Sequence, residues 1–172
     1  CRRAGRAVFY DLMAAMPAFK TIALFGRYST RRNAEAFVAL GRFLEGRGCE
    51  VMIDDGTAAA CGVTAFRTAD YAEVGASAGL AVVLGGDGSM LNAARNLATS
   101  RVPLVGINQG RLGFMTDIAA DSMLEMLGRI LAGEYTVEER TLLAVDVRRE
   151  GATVFSTLAL NDVVVNKGAV GR

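Results

Sequence analysis

The amino-acid sequence predicts an α/β protein, in which a doubly wound and mostly parallel sheet domain is followed by the beginning of an all-β domain. Three observations support this prediction. From Thr21 onward, short aliphatic and β-branched runs alternate with amphipathic stretches, as in successive βαβ units. The run from Leu80 to Leu84 is apolar at every position, which is typical of a strand buried on both faces of a parallel sheet. After Tyr135 no helical periodicity remains, and only strand-like runs follow.

The first half of the predicted sheet domain contains two strands and one clear helix. The apolar strand at 21–25 leads into an amphipathic stretch that Ser29 or Thr30 can cap, because a hydroxyl oxygen accepts bonds from the free N–H groups of a first turn. The elements expected after this helix are a strand at 50–53, ended by Asp-Asp-Gly, and a loop with one or two short helical turns at 57–79.

The second half of the predicted domain is organised around the strand at 80–84. Gly85-Gly86-Asp87-Gly88 follows this strand directly, and a helical pattern begins near Ser89. The further expected elements are a strand at 104–107, a glycine-bearing turn at 108–113, and a helix that begins at Asp121 or Ser122 and ends at Gly133.

The chain divides into three predicted regions. Residues 1–16 are expected to form a disordered upstream extension, because Asp11 interrupts their apolar stretch and no cleavage site of a secretory signal follows. Residues 17–137 form the α/β domain, and residues 138–172 begin a β-rich domain with strands at 142–148 and 153–165. We expect the sequence to stop inside this second domain, since its strands close no sheet.

Composition excludes several classes of site and partner. The chain has no histidine and no CxxC pair among its three cysteines, so it lacks the ligands of a Cys/His metal site and the base of a histidine-dependent triad. Its formal net charge of +1 gives no reason to expect nucleic acid or an anionic membrane as a partner. No apolar run approaches the roughly 18 residues of a membrane-spanning helix. These observations indicate a cytoplasmic protein whose cysteines are reduced thiols or simply small apolar side chains.

The turn after the strand at 80–84 carries the main candidate for chemistry. Gly85, Gly86 and Gly88 allow backbone N–H groups to approach an anion, and the following helix offers its positive N-terminus. Asp87 would repel a phosphate unless a cation lies between them or unless its carboxylate accepts a proton. Both needs arise when ATP with Mg²⁺ phosphorylates an alcohol. Alternatively, Asp87 simply makes an Asp-Gly turn and caps the helix.

Two further segments place polar residues beside apolar strands. Asn108 follows the strand at 104–107, so it and Phe114 are expected near the first turn, although Phe114 can equally belong to the core. Asn161 and Asp162 interrupt an apolar run, where unpaired polar side chains would cost several kcal/mol if buried. Ribose hydroxyls would satisfy them, as would a solvent-facing bend at the end of a strand.

Together these segments resemble the NAD kinase family, specifically its bacterial branch. The Gly85–Leu91 segment resembles the GGDG motif, the segment from Val102 to Asp117 resembles the one that follows it, and the segment from Leu160 to Val164 resembles the NE/D motif. The likeness extends from about Lys20 to the last residue. GGDG alone is shared with diacylglycerol kinase-like and 6-phosphofructokinase-like enzymes, whereas the three motifs in this order are highly specific.

The resemblance implies phosphorylation of the 2′-hydroxyl of NAD's adenosine ribose by ATP. It assigns Asp87 as the general base, and it implies that Mg²⁺ is carried by ATP rather than by protein ligands. The implied nucleotide-binding residues are Gly85, Gly86, Gly88, Asn108, Phe114, Asn161, Asp162 and Arg172. Family members are usually homodimers or homotetramers, which the resemblance implies here for the full-length protein.

The sequence departs from the family pattern at two places. Asp162 occupies a position where many members have glutamate, so its carboxylate reaches one methylene less far. The family's later threonine- and serine-rich nucleotide-binding motif is expected after Arg172, so this stretch of chain alone is expected to be inactive. Two alternatives use the same glycine-aspartate turn, namely a lipid kinase of the diacylglycerol type and a nucleotide-binding module without catalysis.

Overall fold

A computed structural model of the chain describes residues 19–26, 31–110, 113–116, 118–160 and 162–164. Its main body is a six-stranded parallel sheet with the strand order β3-β2-β1-β4-β5-β6. The strands are β1 (Thr21–Gly26), β2 (Glu50–Asp54), β3 (Arg67–Ala69), β4 (Leu80–Leu84), β5 (Leu104–Asn108) and β6 (Ile118–Ala119). This is a doubly wound order, and the direction of winding reverses between β1 and β4. The predicted fold class is therefore confirmed.

The centre of the sheet is buried on both faces because alternate residues of its central strands enter two separate apolar clusters. In β1, Ile22 and Leu24 belong to one cluster, whereas Ala23 and Phe25 belong to the other. The strand β4 is buried at all five positions, as the absence of polar alternation in its sequence predicts.

Five helices among the described residues cover these two faces. They are α1 (Arg31–Glu45), α2 (Asp55–Cys61), α3 (Tyr71–Ser77), α4 (Asp87–Leu97) and α5 (Met123–Leu131), the last preceded by a 3-10 turn at Ala120–Ser122. Phe37 and Leu40 of α1 and Leu127 of α5 pack in the first cluster, and Val74 of α3 packs with Ala93 of α4 in the second. Each helix therefore presents one apolar stripe to the sheet, as helix periodicity requires.

The residues after the sheet domain form a separate antiparallel hairpin of β7 (Leu143–Arg149) and β8 (Ala152–Ala159). Glu150 and Gly151 both have positive φ, at 49° and 83°, so the predicted Glu-Gly turn is confirmed as a two-residue hairpin turn. Several of the hairpin's large apolar side chains are exposed, including Val154 and Phe155.

Several predicted boundaries were wrong. The region at 57–79, expected as a loop with one or two short helical turns, contains most of the short helix α2 and all of the short helix α3, but its strand β3 was not predicted, and neither was β6. The strand expected at 153–165 ends at Ala159, and the helix expected near Ser89 begins at Asp87. These errors fall on short or terminal elements, whose few residues carry little periodicity.

Candidate functional site

The carboxyl end of β4 and the start of α4 form the centre of the candidate site. Gly85 is buried, and its N–H donates to the carbonyl oxygen of Ile107 at 2.9 Å, which joins the turn to β5. Gly86 is the N-cap of α4, and no side chain caps this helix. In the first turn of α4 the N–H of Ser89 donates to the carbonyl oxygen of Gly86 at 3.0 Å, whereas the N–H groups of Asp87 and Gly88 have no acceptor within the helix. The start of α4 is therefore a site where an anion can be bound by backbone N–H groups.

The carboxylate of Asp87 bonds to the neighbouring loop and not to its own helix. Its Oδ2 accepts the N–H of Phe114 at 3.0 Å, and its Oδ1 accepts the N–H of Met115 at 2.9 Å. The predicted proximity of the two glycine-bearing turns is confirmed by these bonds. The alternative in which Asp87 only caps its helix is wrong, since no side-chain cap is present.

The loop can approach Asp87 because it packs closely on β5. A Cβ on Gly106 would lie 2.7 Å from Cγ2 of Thr116 and 3.0 Å from the carbonyl oxygen of Met115, closer than real Cβ atoms and neighbouring backbone tolerate. Thr116 itself is fully buried. The backbone of the loop is thus set against the sheet at the point where it meets α4.

A cavity of about 440 Å³ lies beside this turn, at the carboxyl ends of β1 and β2. It coincides with the reversal of strand order between β1 and β4, the position at which open α/β sheets bind ligands. Ser89 and Asn92 of α4 form part of its wall, whereas Asp87 does not line it. Its other walls are Phe25, Gly26, Asp54, Asp55, Gly56, Thr57, Ala60, Asp70, Tyr71 and Ala93.

The polar wall of the cavity is fixed by side-chain bonds between strands. The Thr57 hydroxyl accepts the N–H of Gly26 at 2.9 Å, and it lies within donating distance of the Gly26 carbonyl at 2.8 Å and of Asp54 Oδ2 at 2.9 Å. Asp54 also caps α2 by accepting the N–H of Thr57 at 2.8 Å. One buried threonine therefore connects the end of β1 to the end of β2.

The aromatic wall of the cavity is formed by Tyr71. Its ring stacks on Phe25 with a centroid distance of 5.3 Å and an interplanar angle of 20°. Its hydroxyl oxygen accepts from Nδ2 of Asn92 at 2.9 Å, so α3 is joined to α4 across the cavity.

All charged side chains among the described residues that line the cavity are acidic. Asp54, Asp55 and Asp70 line it, and its described lining includes no lysine or arginine. Asp54 and Asp70 act as helix N-caps, the latter through the N–H of Glu73 at 2.8 Å. A bare phosphate would be repelled here, whereas hydroxyl donors and an aromatic ring would find acceptors and an apolar wall.

The remaining predicted site residues occupy different environments. Asn108 is buried, and its Oδ1 accepts the N–H of Gly110 at 2.8 Å, which closes a turn. Phe114 is 93% exposed, so the alternative that places it in the core is wrong. Asp162 is exposed, and Asn161 and Arg172 lie outside the described residues.

Sequence reasoning missed the cavity residues Thr57, Asp70, Tyr71 and Asn92. The signal for Asp70 was present, because an aspartate followed by a short amphipathic segment is typical of a helix N-cap. The signal for Asn92 was its spacing, because it lies three residues after Ser89 and helix periodicity places the two side chains on the same face of α4.

Neither a membrane-spanning helix nor a metal cluster occurs in the part of the chain that the structure describes. No described helix is long and apolar enough to cross a bilayer. Within the same residues, no group of three or more histidine, cysteine, aspartate or glutamate side chains is arranged to hold a metal ion.

Comparison with known proteins connects this geometry to one family. Residues 22–135 match the family model described as the ATP-NAD kinase N-terminal domain. The chain is 56% identical over 155 residues to an NAD kinase of Aromatoleum aromaticum, covering 90% of this chain and 52% of that protein. It is 52% identical over 155 residues to an NAD kinase of an Azoarcus species, covering 90% of this chain and 53% of that protein.

A solved structure shares the fold at low sequence identity. The yeast NADH kinase complexed with NADH aligns with a TM-score of 0.69 and 17% identity, over 81% of this chain and 46% of that chain. The chain thus spans about half the length of the curated relatives that it matches.

Proposed function

Since the chain belongs to the ATP-NAD kinase family, we propose that the full-length protein transfers the γ-phosphoryl group of ATP to the 2′-hydroxyl of the adenosine ribose of NAD. The product is NADP. The observation that carries the proposal is the placement of Asp87, whose carboxylate is held beside the uncapped N-terminus of α4.

Asp87 acts as the general base in this proposal. A carboxylate offers about four lone-pair positions, and the two loop N–H groups occupy one on each oxygen. The free positions can accept the proton of the attacking hydroxyl. In the balanced step, the ribose oxygen forms a bond to the γ-phosphorus, the bond from that phosphorus to the bridging oxygen of ADP breaks, and the hydroxyl proton passes to Asp87.

The start of α4 and the adjacent cavity provide room for the donor nucleotide. A Cβ at Gly86 or Gly88 would have no neighbour within 4 Å, so the side-chain positions of these two glycines face open space. The cavity's carboxylates and stacked Tyr71 fit an adenosine group better than phosphates. Mg²⁺ carried by ATP would supply the positive charge that allows a phosphate to lie near Asp87.

In this proposal the acceptor NAD binds at the side of Asp87 that faces Phe114, and not in the cavity. Phe114 stands exposed beside the carboxylate and is available to pack against a nucleotide. We also propose that Gly85, Asn108, Asn161 and Asp162 bind nucleotide, because they belong to the three motifs. Arg172 is added to them because some family members have a side chain that touches the dinucleotide at this place. We also propose that the full-length protein is cytoplasmic and assembles into homodimers or homotetramers.

Replacing Asp87 by asparagine tests the proposal in the full-length protein. We expect wild-type protein to convert NAD to NADP with ATP, and Asp87→Asn to lower kcat by about 10²–10⁴-fold with its NAD affinity largely retained. Asp121→Asn is the matched control, because this exposed aspartate lies in the 3-10 turn before α5, away from the cavity lining. Turnover of a diacylglycerol but not NAD would establish the lipid-kinase alternative, and nucleotide binding without any turnover would establish a binding module.

A further inference from the structure

We propose that Gly113 is a positioning residue, which lets two backbone N–H groups hold the carboxylate of Asp87 in one orientation. This inference rests on the proposed function, because it concerns the residue assigned there as the base. It goes further by assigning a role to the backbone of the loop that faces Asp87. The side chains of this loop need not touch the substrate.

The space around Gly113 is filled by the carboxylate of Asp87. A Cβ on Gly113 would lie 2.8 Å from Cγ and 3.0 Å from Oδ2 of Asp87, and closer still to Oδ1. The distances to Cγ and Oδ1 are shorter than real Cβ atoms show, so any side chain at position 113 displaces either the loop or the carboxylate. The carboxylate moves more easily, because it is the end of a flexible side chain. The two N–H donors follow immediately, on Phe114 and Met115.

Two bonds to two different oxygens constrain both side-chain torsions of Asp87. A single bond would leave the carboxylate free to turn about its Cβ–Cγ axis, whereas bonds of 3.0 and 2.9 Å to consecutive N–H groups define the carboxylate plane. Proton transfer requires the accepting oxygen within hydrogen-bond reach of the hydroxyl, so the carboxylate's orientation contributes directly to the rate.

The loop can hold the carboxylate of Asp87 in place because its other end packs on the sheet. Thr116 is fully buried against Gly106 of β5, only three residues from Gly113. The N–H groups of Phe114 and Met115 therefore lie between a close contact with Asp87 and a buried attachment to β5.

The first test compares two alanine variants of the full-length enzyme in the same loop. We expect Gly113→Ala to lower kcat by about 10²-fold, the effect of a displacement near 1 Å, with little change in KM for NAD or ATP. Rates are normalised to NAD-binding stoichiometry, which removes any loss of folded protein. Gly110→Ala is the control, because its Cβ would meet nothing closer than Oδ1 of Asn108 at 3.9 Å. We expect its kcat to stay within twofold of wild type.

The second test is a double-mutant cycle with Asp87→Asn. If Gly113 acts through Asp87, adding Gly113→Ala to Asp87→Asn lowers kcat by less than threefold, because the oriented carboxylate is already gone. Independent effects that multiply would overturn the proposal. In hydrogen exchange, we also expect the N–H groups of Phe114 and Met115 to exchange faster in Gly113→Ala than in Gly110→Ala.

A third pair of variants decides the matter if Gly113→Ala does not fold. Phe114→Pro removes one N–H donor to Asp87, whereas Phe114→Ala removes the same side chain and keeps the donor. We expect kcat of the proline variant to fall at least tenfold below that of the alanine variant. Equal values would refute the inference. If the wild-type protein does not phosphorylate NAD, the proposed function itself is refuted. Failure of the inference and failure of the proposed function are therefore distinguishable.

Discussion

Thr57→Val tests whether hydrogen bonding, and not packing, holds the ends of β1 and β2 together. The Thr57 side chain is 1% exposed, and its hydroxyl is the acceptor for Gly26 N–H at 2.9 Å. Valine keeps the volume but leaves that N–H without an acceptor, which costs about 1–3 kcal/mol. With a urea m-value of about 2 kcal/mol/M, a loss of 2 kcal/mol shifts the unfolding midpoint by about 1 M.

The matched variant Thr57→Ser makes the opposite change to valine, since it keeps the hydroxyl and removes one methyl group. Its expected cost is about 0.8 kcal/mol. Urea unfolding of the three proteins therefore ranks them wild type, serine, valine in decreasing stability. If packing dominated, serine would be the least stable variant, and that order would refute the reasoning. Because Thr57 lines the cavity, we also expect Thr57→Val to raise KM for ATP.

Two other predictions concern the loop and the thiols. Phe114→Trp in the full-length protein places a fluorescence probe at this exposed position, and its signal is the difference in emission between the variant and wild type. We expect solvent-exposed emission without ligand and a blue shift on addition of NAD, and an unchanged difference spectrum at saturating NAD would remove Phe114 from the nucleotide site. Burial raises the pKa of the Cys49 thiol, with Arg47 opposing it, and burial also raises the pKa of Cys61. Because the thiolate is the reactive form, iodoacetamide at pH 8 is expected to alkylate both slowly, and Cys61 before the 5% exposed Cys49. Each raised pKa favours the neutral thiol in the folded state. The stability that comes from the neutral thiol is therefore present below the pKa that the thiol has in the unfolded protein, and it is lost as the pH rises through the pKa that the thiol has in the folded protein.

The sequence predicts the centre of the fold better than its edges. The strand β4 was predicted with both its ends correct, because five consecutive apolar residues leave few alternatives. The edge strand β3, Arg67–Ala69, was missed because it has three residues, two of them polar and exposed. Its identity as a strand depends on parallel pairing with β2, which a local pattern does not encode.

For the candidate site, too, the central residue could be predicted from the sequence, whereas its surroundings could not. The position of Asp87 after a buried strand was predictable, as was its proximity to the loop after β5. That its carboxylate bonds to two N–H groups of that loop was not predictable, since the bonds depend on the register of β4 with β5 and on the path of residues 113–116. The cavity was missed for a similar reason, because its walls come from four separate stretches of the chain that only the strand order brings together.

The helix α4 belongs to the core as much as to the site. The two parts of the chain that meet at Asp87, the helix and the loop, are therefore held in place to different degrees. Met90, Ala93 and Leu97 anchor it in the second apolar cluster, whereas the opposing side is a short stretch of irregular backbone with an exposed phenylalanine. We therefore expect the backbone of Asp87 to keep its place relative to the sheet when a nucleotide binds. In the opposing loop we expect the exposed side chain of Phe114 to adjust, and not the buried Thr116 that attaches the loop to β5. Variation in substrate preference among proteins with this helix is accordingly expected to arise in the residues facing it.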